Sequence, residues 1–224
     1  MKKAIVVFSG GQDSTTCLGV ALTEYDHIHC IGFDYGQQHA VELECAQTIV
    51  DKYDNVDYIR IPVPAFDMFA DSALLKSVDQ SVNEEHSHKA GLPASFVPNR
   101  NAVFLTLAHA YAQKTGAEAI FTGVCETDYS GYPDCRSHFI RQLETALNSG
   151  AETEIPIITP LMFIDKAGTF KLAENVGILD DVVELSHTCY NGDRTERHDW
   201  GYGCGNCPAC ELRAKGWELY KERF

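Results

Sequence analysis

Lys3–Leu18 reads KAIVVFSGGQDSTTCL, and the fold class follows from how it divides. Ala4-Ile5-Val6-Val7-Phe8 is an unbroken apolar run with β-branched residues, bounded by Ser and Gly. Such a run is a strand covered on both faces, as in a parallel sheet. Ser9-Gly10-Gly11-Gln12-Asp13-Ser14 is a turn, and a helix runs from Ser14 to about Thr23. Adjacent glycines admit positive φ and let a ligand approach without a Cβ in the way. The N–H groups of the turn and first helical turn lack intrahelical partners, and the helix dipole adds partial positive charge there. Strand, glycine turn and helix start in that order make an anion site, with phosphate the usual guest. The hydroxyls of Ser9, Ser14, Thr15 and Thr16 add donors. No Lys-Ser/Thr pair closes the turn as a Walker loop requires, and G-G-x-x-x is not a G-x-G-x-x-G fingerprint. Asp13 is a plausible ligand for Mg²⁺ held by phosphate oxygens. A plain β–turn–α junction with a serine cap is the bland alternative, and so restricted a string argues against it.

Outward from this stretch, the same alternation repeats. His27–Asp34 is a second strand, followed by the loop Tyr35-Gly36-Gln37-Gln38-His39. Ala40–Tyr53 is an amphipathic helix with Val41, Cys45, Ile49 and Val50 on one stripe, and Val56–Val63 is a third strand. Strand and helix in alternation imply a doubly wound parallel sheet with right-handed crossovers. Ligands then sit at the carboxyl ends of the strands, near the switch in strand order. Phe8 and Phe33 are candidates to flank an adenine or, equally, core residues. The segment 64–98 is polar and long enough for an insertion or mobile lid, with poor order expected over 76–90. Its His86-Ser87-His88 reads as a solvated loop rather than a metal site.

Val97-Pro98-Asn99-Arg100-Asn101 leads into a helix over 101–115, with Asn99 or Asn101 as its cap. The dipole opposes Arg100 at that start, which points to an anion to grip. Glu118–Val124 is a fourth strand, and at its carboxyl end stands Cys125-Glu126-Thr127-Asp128-Tyr129-Ser130-Gly131-Tyr132-Pro133-Asp134-Cys135-Arg136. Three carboxylates and two tyrosines on the ligand rim mark this loop as a substrate-reading candidate. A helix over 137–148 closed by Gly150, a fifth strand over 155–158 and a helix from Lys166 to Asn175 complete the α/β pattern. Lys166, just past a strand end, can reach the rim and neutralise a leaving pyrophosphate; an ordinary solvated lysine is the equal alternative.

The net charge of −14 argues against nucleic acid as the main partner. No apolar run is long enough for a membrane span, and the expectation is a soluble cytoplasmic protein. The chain divides into an α/β unit over 1–185, with its insertion near 64–98, and a C-terminal segment over 186–224. Four of the nine cysteines crowd that segment: Cys189, Cys204, Cys207 and Cys210, spaced C-x14-C-x2-C-x2-C. Four thiolates suit tetrahedral Zn²⁺ at about 2.3 Å per bond in a closed, structural site. An iron–sulfur cluster accepts the same donors, but the polar intervening segment offers it no shielding core, which favours zinc. His187 and His198 are read as bystanders. The metal would pin Cys189 to a terminal helix over 208–220, and removing it should loosen that wall of the site.

The SGGxDS string resembles the pyrophosphate loop of the ATP pyrophosphatase superfamily. Together with FDYGQQHAVELECA, FVPNRN, DYSGYPDCR and the cysteine tail, it resembles the 7-cyano-7-deazaguanine synthase family of the queuosine pathway, from Lys3 to about Trp217. The resemblance implies an adenine nucleotide α-hydrolase-like five-stranded sheet, and an ATP-dependent carbon–nitrogen ligase. It would convert 7-carboxy-7-deazaguanine and ammonia to 7-cyano-7-deazaguanine by adenylating first the carboxylate and then the amide. The loop type favours splitting to AMP over ADP. Phe8, Ser9, Gly10, Gly11, Gln12, Asp13, Ser14, Thr15, Thr16, Cys17 and Leu18 would hold ATP with Mg²⁺. Lys166 and Arg100 would stabilise departing charge, and Asp134, then Glu126 and Asp128, would read the guanine-like edge with Tyr129 or Tyr132 stacked on the ring. A homodimer is the family expectation. The rivals are another pyrophosphate-loop amidoligase, a tRNA thiolation enzyme, which needs a basic surface and free cysteines, and a zinc-stapled nucleic-acid module, which leaves SGGQDS unexplained.

Overall fold

The opening strand lies at the centre of a parallel sheet. A computed structural model describes residues 1–37, 41–69, 71–75, 78, 84, 91–127 and 132–224. Strands β1 (Lys3–Val7), β2 (His27–Asp34), β3 (Val56–Pro62), β4 (Ala119–Phe121) and β5 (Ile157–Ile158) run parallel in the order β3-β2-β1-β4-β5. The order reverses between β1 and β4, directly beneath Ser9–Ser14. Successive side chains of β1 enter different cores. Ala4 and Val6 join Phe8, Cys17 and Leu18, while Ile5 joins Ile31, Phe104 and Leu105 on the other face. A strand buried on both sides has no place for a polar residue, which is why the run is continuously apolar.

Helices α1 (Gln12–Glu24), α2 (Val41–Val50), α3 (Phe66–Phe69), α4 (Arg100–Thr115), α5 (Ser137–Ala151), α6 (Lys166–Asn175), α7 (Leu179–Glu184) and α8 (Pro208–Arg223) complete the chain, with a small hairpin of β6 (Arg197–His198) and β7 (Gly201–Tyr202). Helices α4 and α5 cover one face of the sheet; α1, α2, α6, α7 and α8 feed the core on the other. Among the described residues no helix is long and apolar enough to cross a membrane.

Several boundaries differ from the sequence reading for identifiable reasons. Helix α1 begins at Gln12, because extended Gly11 rather than a serine occupies its N-cap. Helix α5 runs through Gly150, and its stop is Glu152 in left-handed conformation (φ 52°), whose N–H returns to the Asn148 carbonyl. Helix α7 and the β6–β7 hairpin are too short for periodicity to mark. The flanks of the 64–98 segment are core rather than lid. Phe66, Leu75, Phe96 and Val97 are buried with the α4-side cluster. Leu75 bridges Gln37, and Ala73 N–H donates to the Ala94 carbonyl at 2.8 Å. Of the stretch expected to lack order, residues 76, 77, 79–83 and 85–90 lie outside the described residues, His86 and His88 with them.

Candidate active site

The turn after β1 is held from two directions by backbone. Gly10 has φ 82°, and a Cβ there would lie 2.6 Å from Ala46 N and from Glu42 O, so α2 backs directly onto it. From the other side His187 N–H donates to the Gly10 carbonyl at 2.9 Å, and Gln12 N–H donates to the Thr188 hydroxyl at 3.3 Å. Within the turn, Ser9 Oγ accepts from Gly11 N–H and lies 3.3 Å from Ser14 Oγ. Thr15 and Thr16 donate back to the Gly11 and Gln12 carbonyls at 2.8 and 3.0 Å and are fully buried. Their hydroxyls therefore stiffen the helix start rather than face outward. Cys17 and Leu18 are wholly core. Of the eleven residues Phe8–Leu18, those on the cavity wall are Phe8, Ser9, Gly11, Gln12, Asp13 and Ser14. Gln12 is 1% exposed, and neither atom of its carboxamide tip has a hydrogen-bond partner among the described residues.

Lys166 does reach this rim. Its Nζ donates to both carboxylate oxygens of Asp13, at 2.8 and 2.7 Å. Lys166 is the first residue of α6, where the dipole disfavours a cation, and it is 8% exposed. Two features hold it there. Asp165 caps the helix by accepting Gly168 N–H at 2.8 Å. Gly216 of α8 leans on it so closely that a Cβ would collide with Lys166 Cβ. The cavity enclosed between the turn and these elements has a volume of about 330 Å³, within the range of small-molecule sites.

Its far wall is aromatic and charged. Arg100 sits between two phenols, its guanidinium carbon 5.8 Å and 5.9 Å from the Tyr35 and Tyr132 ring centroids. Tyr132 is held by a 2.6 Å hydrogen bond with Ser95. Glu42, in the first turn of α2, also faces the cavity. Burial pushes its carboxyl up to about 7, against the pull of the Arg100 guanidinium. Glu42, Tyr35, Tyr190 and Thr188 are wall residues that the sequence reading did not single out. Tyr35 lay in a quoted loop at a strand end, which was signal enough. Glu42 had none, since one acid on an amphipathic helix reads as its wet face.

The loop after β4 is arranged differently from the expectation. Asp134 is 6% exposed and accepts Asn101 N–H at 3.0 Å, so it covers the positive end of α4. Asn99 at that N-cap is left-handed (φ 57°) and makes no side-chain cap. Glu126 accepts Ser137 N–H at 3.1 Å and does the same for α5. Neither Asp134 nor Glu126 lines the cavity, whereas Tyr132 does. Asp128 and Tyr129 lie outside the described residues. Phe8 is fully buried, edge-on to Tyr58, and Phe33 stacks on Phe104 at 4.1 Å.

The four C-terminal cysteines converge. Their sulfurs lie within 4.8 Å of one another, with Cys189–Cys207 and Cys204–Cys210 each 4.0 Å apart, and all four are free thiols. A tetrahedron with metal–sulfur bonds of about 2.3 Å has edges of about 3.8 Å, so the donor set fits one tetrahedral metal ion. Hydrogen bonds from the Cys207 and Cys210 thiols hold Cys189 well below the usual thiol range. His187 Nε2 meets the Cys189 carbonyl at 3.2 Å; His198 stacks on Trp200 and bonds the Gly203 carbonyl. Neither belongs to the cluster. Arg213 connects this segment to the turn. It is 1% exposed and donates to the Trp200 and Val182 carbonyls and to the Thr188 hydroxyl, which in turn accepts Gln12 N–H. Burial lowers its pKa to about 10, which still leaves the guanidinium charged at neutral pH.

Residues 3–221 match the family described as Queuosine biosynthesis protein QueC. The chain is 53% identical over 218 residues to 7-cyano-7-deazaguanine synthase of Wolinella succinogenes, spanning 97% of this chain and 93% of that one. The enzymes of that name from Helicobacter pylori (strain ATCC 700392 / 26695) and Rhodopseudomonas palustris (strain BisB18) are 48% and 47% identical. They cover 98% of this chain in both cases, and 97% and 94% of their own lengths. Among solved structures, a 4-thiouridine synthetase–RNA complex with bound ATP has a similar fold, with a TM-score of 0.50 at 18% identity. The match covers 99% of this chain and about half, 52%, of that one.

Proposed function

This chain belongs to the QueC family of queuosine biosynthesis, and we propose that it converts 7-carboxy-7-deazaguanine and ammonia to 7-cyano-7-deazaguanine at the expense of ATP. A carboxylate is a poor electrophile because its oxygen cannot leave. Attack of that oxygen on the α-phosphorus releases pyrophosphate and leaves an acyl adenylate. Ammonia then displaces AMP, loses a proton, and gives the amide. Attack of the amide oxygen on a second ATP releases a second pyrophosphate. Loss of AMP and two protons from the resulting imidate gives the nitrile.

The observation that supports this reading most is the meeting, in one cavity, of the Ser9–Ser14 turn with the Asp13–Lys166 pair. In the proposal the backbone N–H groups of the turn and the helix dipole hold the pyrophosphate portion of ATP. Asp13 would help to hold a Mg²⁺ that neutralises phosphate charge, and Lys166, beside it, would neutralise the departing pyrophosphate. Arg100, between Tyr35 and Tyr132, balances charge at the substrate end, with Tyr132 as a ring to stack on. Cys189, Cys204, Cys207 and Cys210 would hold a Zn²⁺ whose role is structural. This cluster keeps Thr188 and Arg213 in place behind the turn. The nitrogen source is free ammonia, and the enzyme works in the cytoplasm as a homodimer.

The test is to incubate the protein with ATP, Mg²⁺, ammonium and either 7-carboxy-7-deazaguanine or unmodified tRNA. AMP release and the nitrile by mass spectrometry with the acid alone are expected. AMP release with tRNA and a sulfur donor, and none with the acid, would replace this reading with tRNA thiolation.

A further inference from the structure

At the other end of the sheet, β2 and β3 bring two imidazoles and a carboxylate together. His27 and His29 are two residues apart in β2, so both side chains leave the same face. The parallel register sets Asp57 of β3 opposite His29. Asp57 Oδ2 lies 2.8 Å from His27 Nε2 and 3.1 Å from His29 Nδ1. One donor atom from each of the three falls within 4.8 Å of the others.

His29 decides how the cluster is read. It is 9% exposed, and neither of its ring nitrogens has a hydrogen-bond partner among the described residues. The approach of Nδ1 to Asp57 is close without having the direction of a hydrogen bond. Tyr111 of α4 stands edge-on to the ring at 5.9 Å and closes its inner side. The nearby Lys3 ammonium donates to the Thr115 carbonyl at 3.1 Å. As an ion-pair partner Asp57 Oδ2 reaches both rings, yet it leaves His29 without a directed hydrogen bond and its Nε2 without a partner among the described residues, which is destabilising in a buried ring. A cation shared by the three groups would give one nitrogen of each histidine a ligand bond and draw the carboxylate to the same centre. Two imidazoles and one carboxylate suit a borderline divalent ion, and His27 and Asp57 reach solvent, so water can complete the coordination.

We propose that His27, His29 and Asp57 form a second metal site, for Zn²⁺, that clips β2 to β3 at the sheet margin. It is separate from the four-cysteine centre. His29 stands five residues before the rim residue Asp34, about 17 Å along the strand. The site therefore stabilises the sheet and takes no part in the chemistry at the cavity.

The experiment uses the whole protein with its cysteine-bound metal retained and loosely held ions washed away. Zn²⁺ alone is titrated by calorimetry, and Co²⁺ is titrated with absorption as the readout. Wild type is expected to bind one further Zn²⁺ per chain. The corresponding Co²⁺ should show weak d–d bands without the sulfur-to-cobalt charge transfer of a thiolate site. His29→Ala and Asp57→Ala should each weaken the uptake by at least about tenfold, since disturbing even a ligand's outer partner commonly costs that much. Metal at the four cysteines should stay unchanged. Asp57 is exposed, so its variant carries the test if the buried histidine variant does not fold. The proposal is overturned by wild type binding no further Zn²⁺, or by undiminished uptake in a folded variant.

Discussion

Two loops leave neighbouring strands on the same rim, one after β1 and one after β4, and both are dense in polar side chains. After β1, Ser9, Asp13 and Ser14 face the cavity. After β4, Glu126 and Asp134 face helix ends instead, accepting Ser137 and Asn101 N–H. The difference lies in who satisfies the backbone nearby. Gly10 and Gln12 receive their partners from His187 and Thr188, far along the chain, so Asp13 is not spent on the helix start and stays on the cavity wall, paired with Lys166. Helices α4 and α5 have no side-chain cap at their own N-cap positions, and the two carboxylates fill that role. A carboxylate on the rim is thus a candidate for ligand reading only after the adjacent helix ends have been satisfied.

The largest expected effect falls on the first loop. In Gly10→Ala the left-handed backbone costs about 1–3 kcal/mol, and the new Cβ meets two backbone atoms of α2 at 2.6 Å. ATP binding by calorimetry should be lost and the melting temperature should fall. Unchanged nucleotide affinity would mean that the turn is not where the phosphates sit. Next is Lys166→Met, which removes the only partner the described hydrogen bonds and ion pairs give the Asp13 carboxylate. It should lower kcat by about 10²–10³-fold, as expected for one charge-stabilising donor, with little change in fold.

Asp134→Ala sharpens the contrast from the other side. It should cost about 1 kcal/mol of stability, the usual loss for a helix cap, while KM for the acid substrate holds. A large rise in KM with no loss of stability would return Asp134 to the substrate-reading role. The smallest effect concerns Glu42, whose folded carboxyl titrates near 7 rather than 4.5. The native state keeps that proton while the unfolded chain gives it up. Glu42 therefore destabilises the fold progressively as pH rises from about 4.5 to about 7. Glu42→Gln should melt higher than wild type at pH 8, and the gap should close at pH 4. A gap independent of pH would rule out that titration.

The parts legible in the sequence are those where local constraint and chemistry coincide. Ala4–Phe8 had to be a doubly buried strand, and the glycine pair had to be a turn at its end. The cysteine spacing survives folding because C-x2-C steps are local and only Cys189 must be brought from a distance. The use of Asp134 and Glu126 was not legible, because it depends on where the starts of α4 and α5 come to rest. Glu42 was hidden for a related reason. It is placed by the contact of α2 with Gly10, which no periodicity records. The burial of the flanks of the 64–98 segment was not legible because Ala65-Phe66, Ala73-Leu74-Leu75 and Phe96-Val97 are apolar runs of two or three residues, too short to show a period, and the sheet's α4 side collects Phe66, Leu75, Phe96 and Val97.

Oxygen transfer offers the most direct test of the central claim, that ATP held at the Ser9–Ser14 turn is used to adenylate the substrate twice. The acid is labelled with ¹⁸O in both carboxylate positions, and the phosphorus products are analysed by mass spectrometry. The account predicts one labelled oxygen in each of two AMP molecules per nitrile formed, with none in free phosphate. Label in inorganic phosphate, with ADP as the nucleotide product, would contradict it.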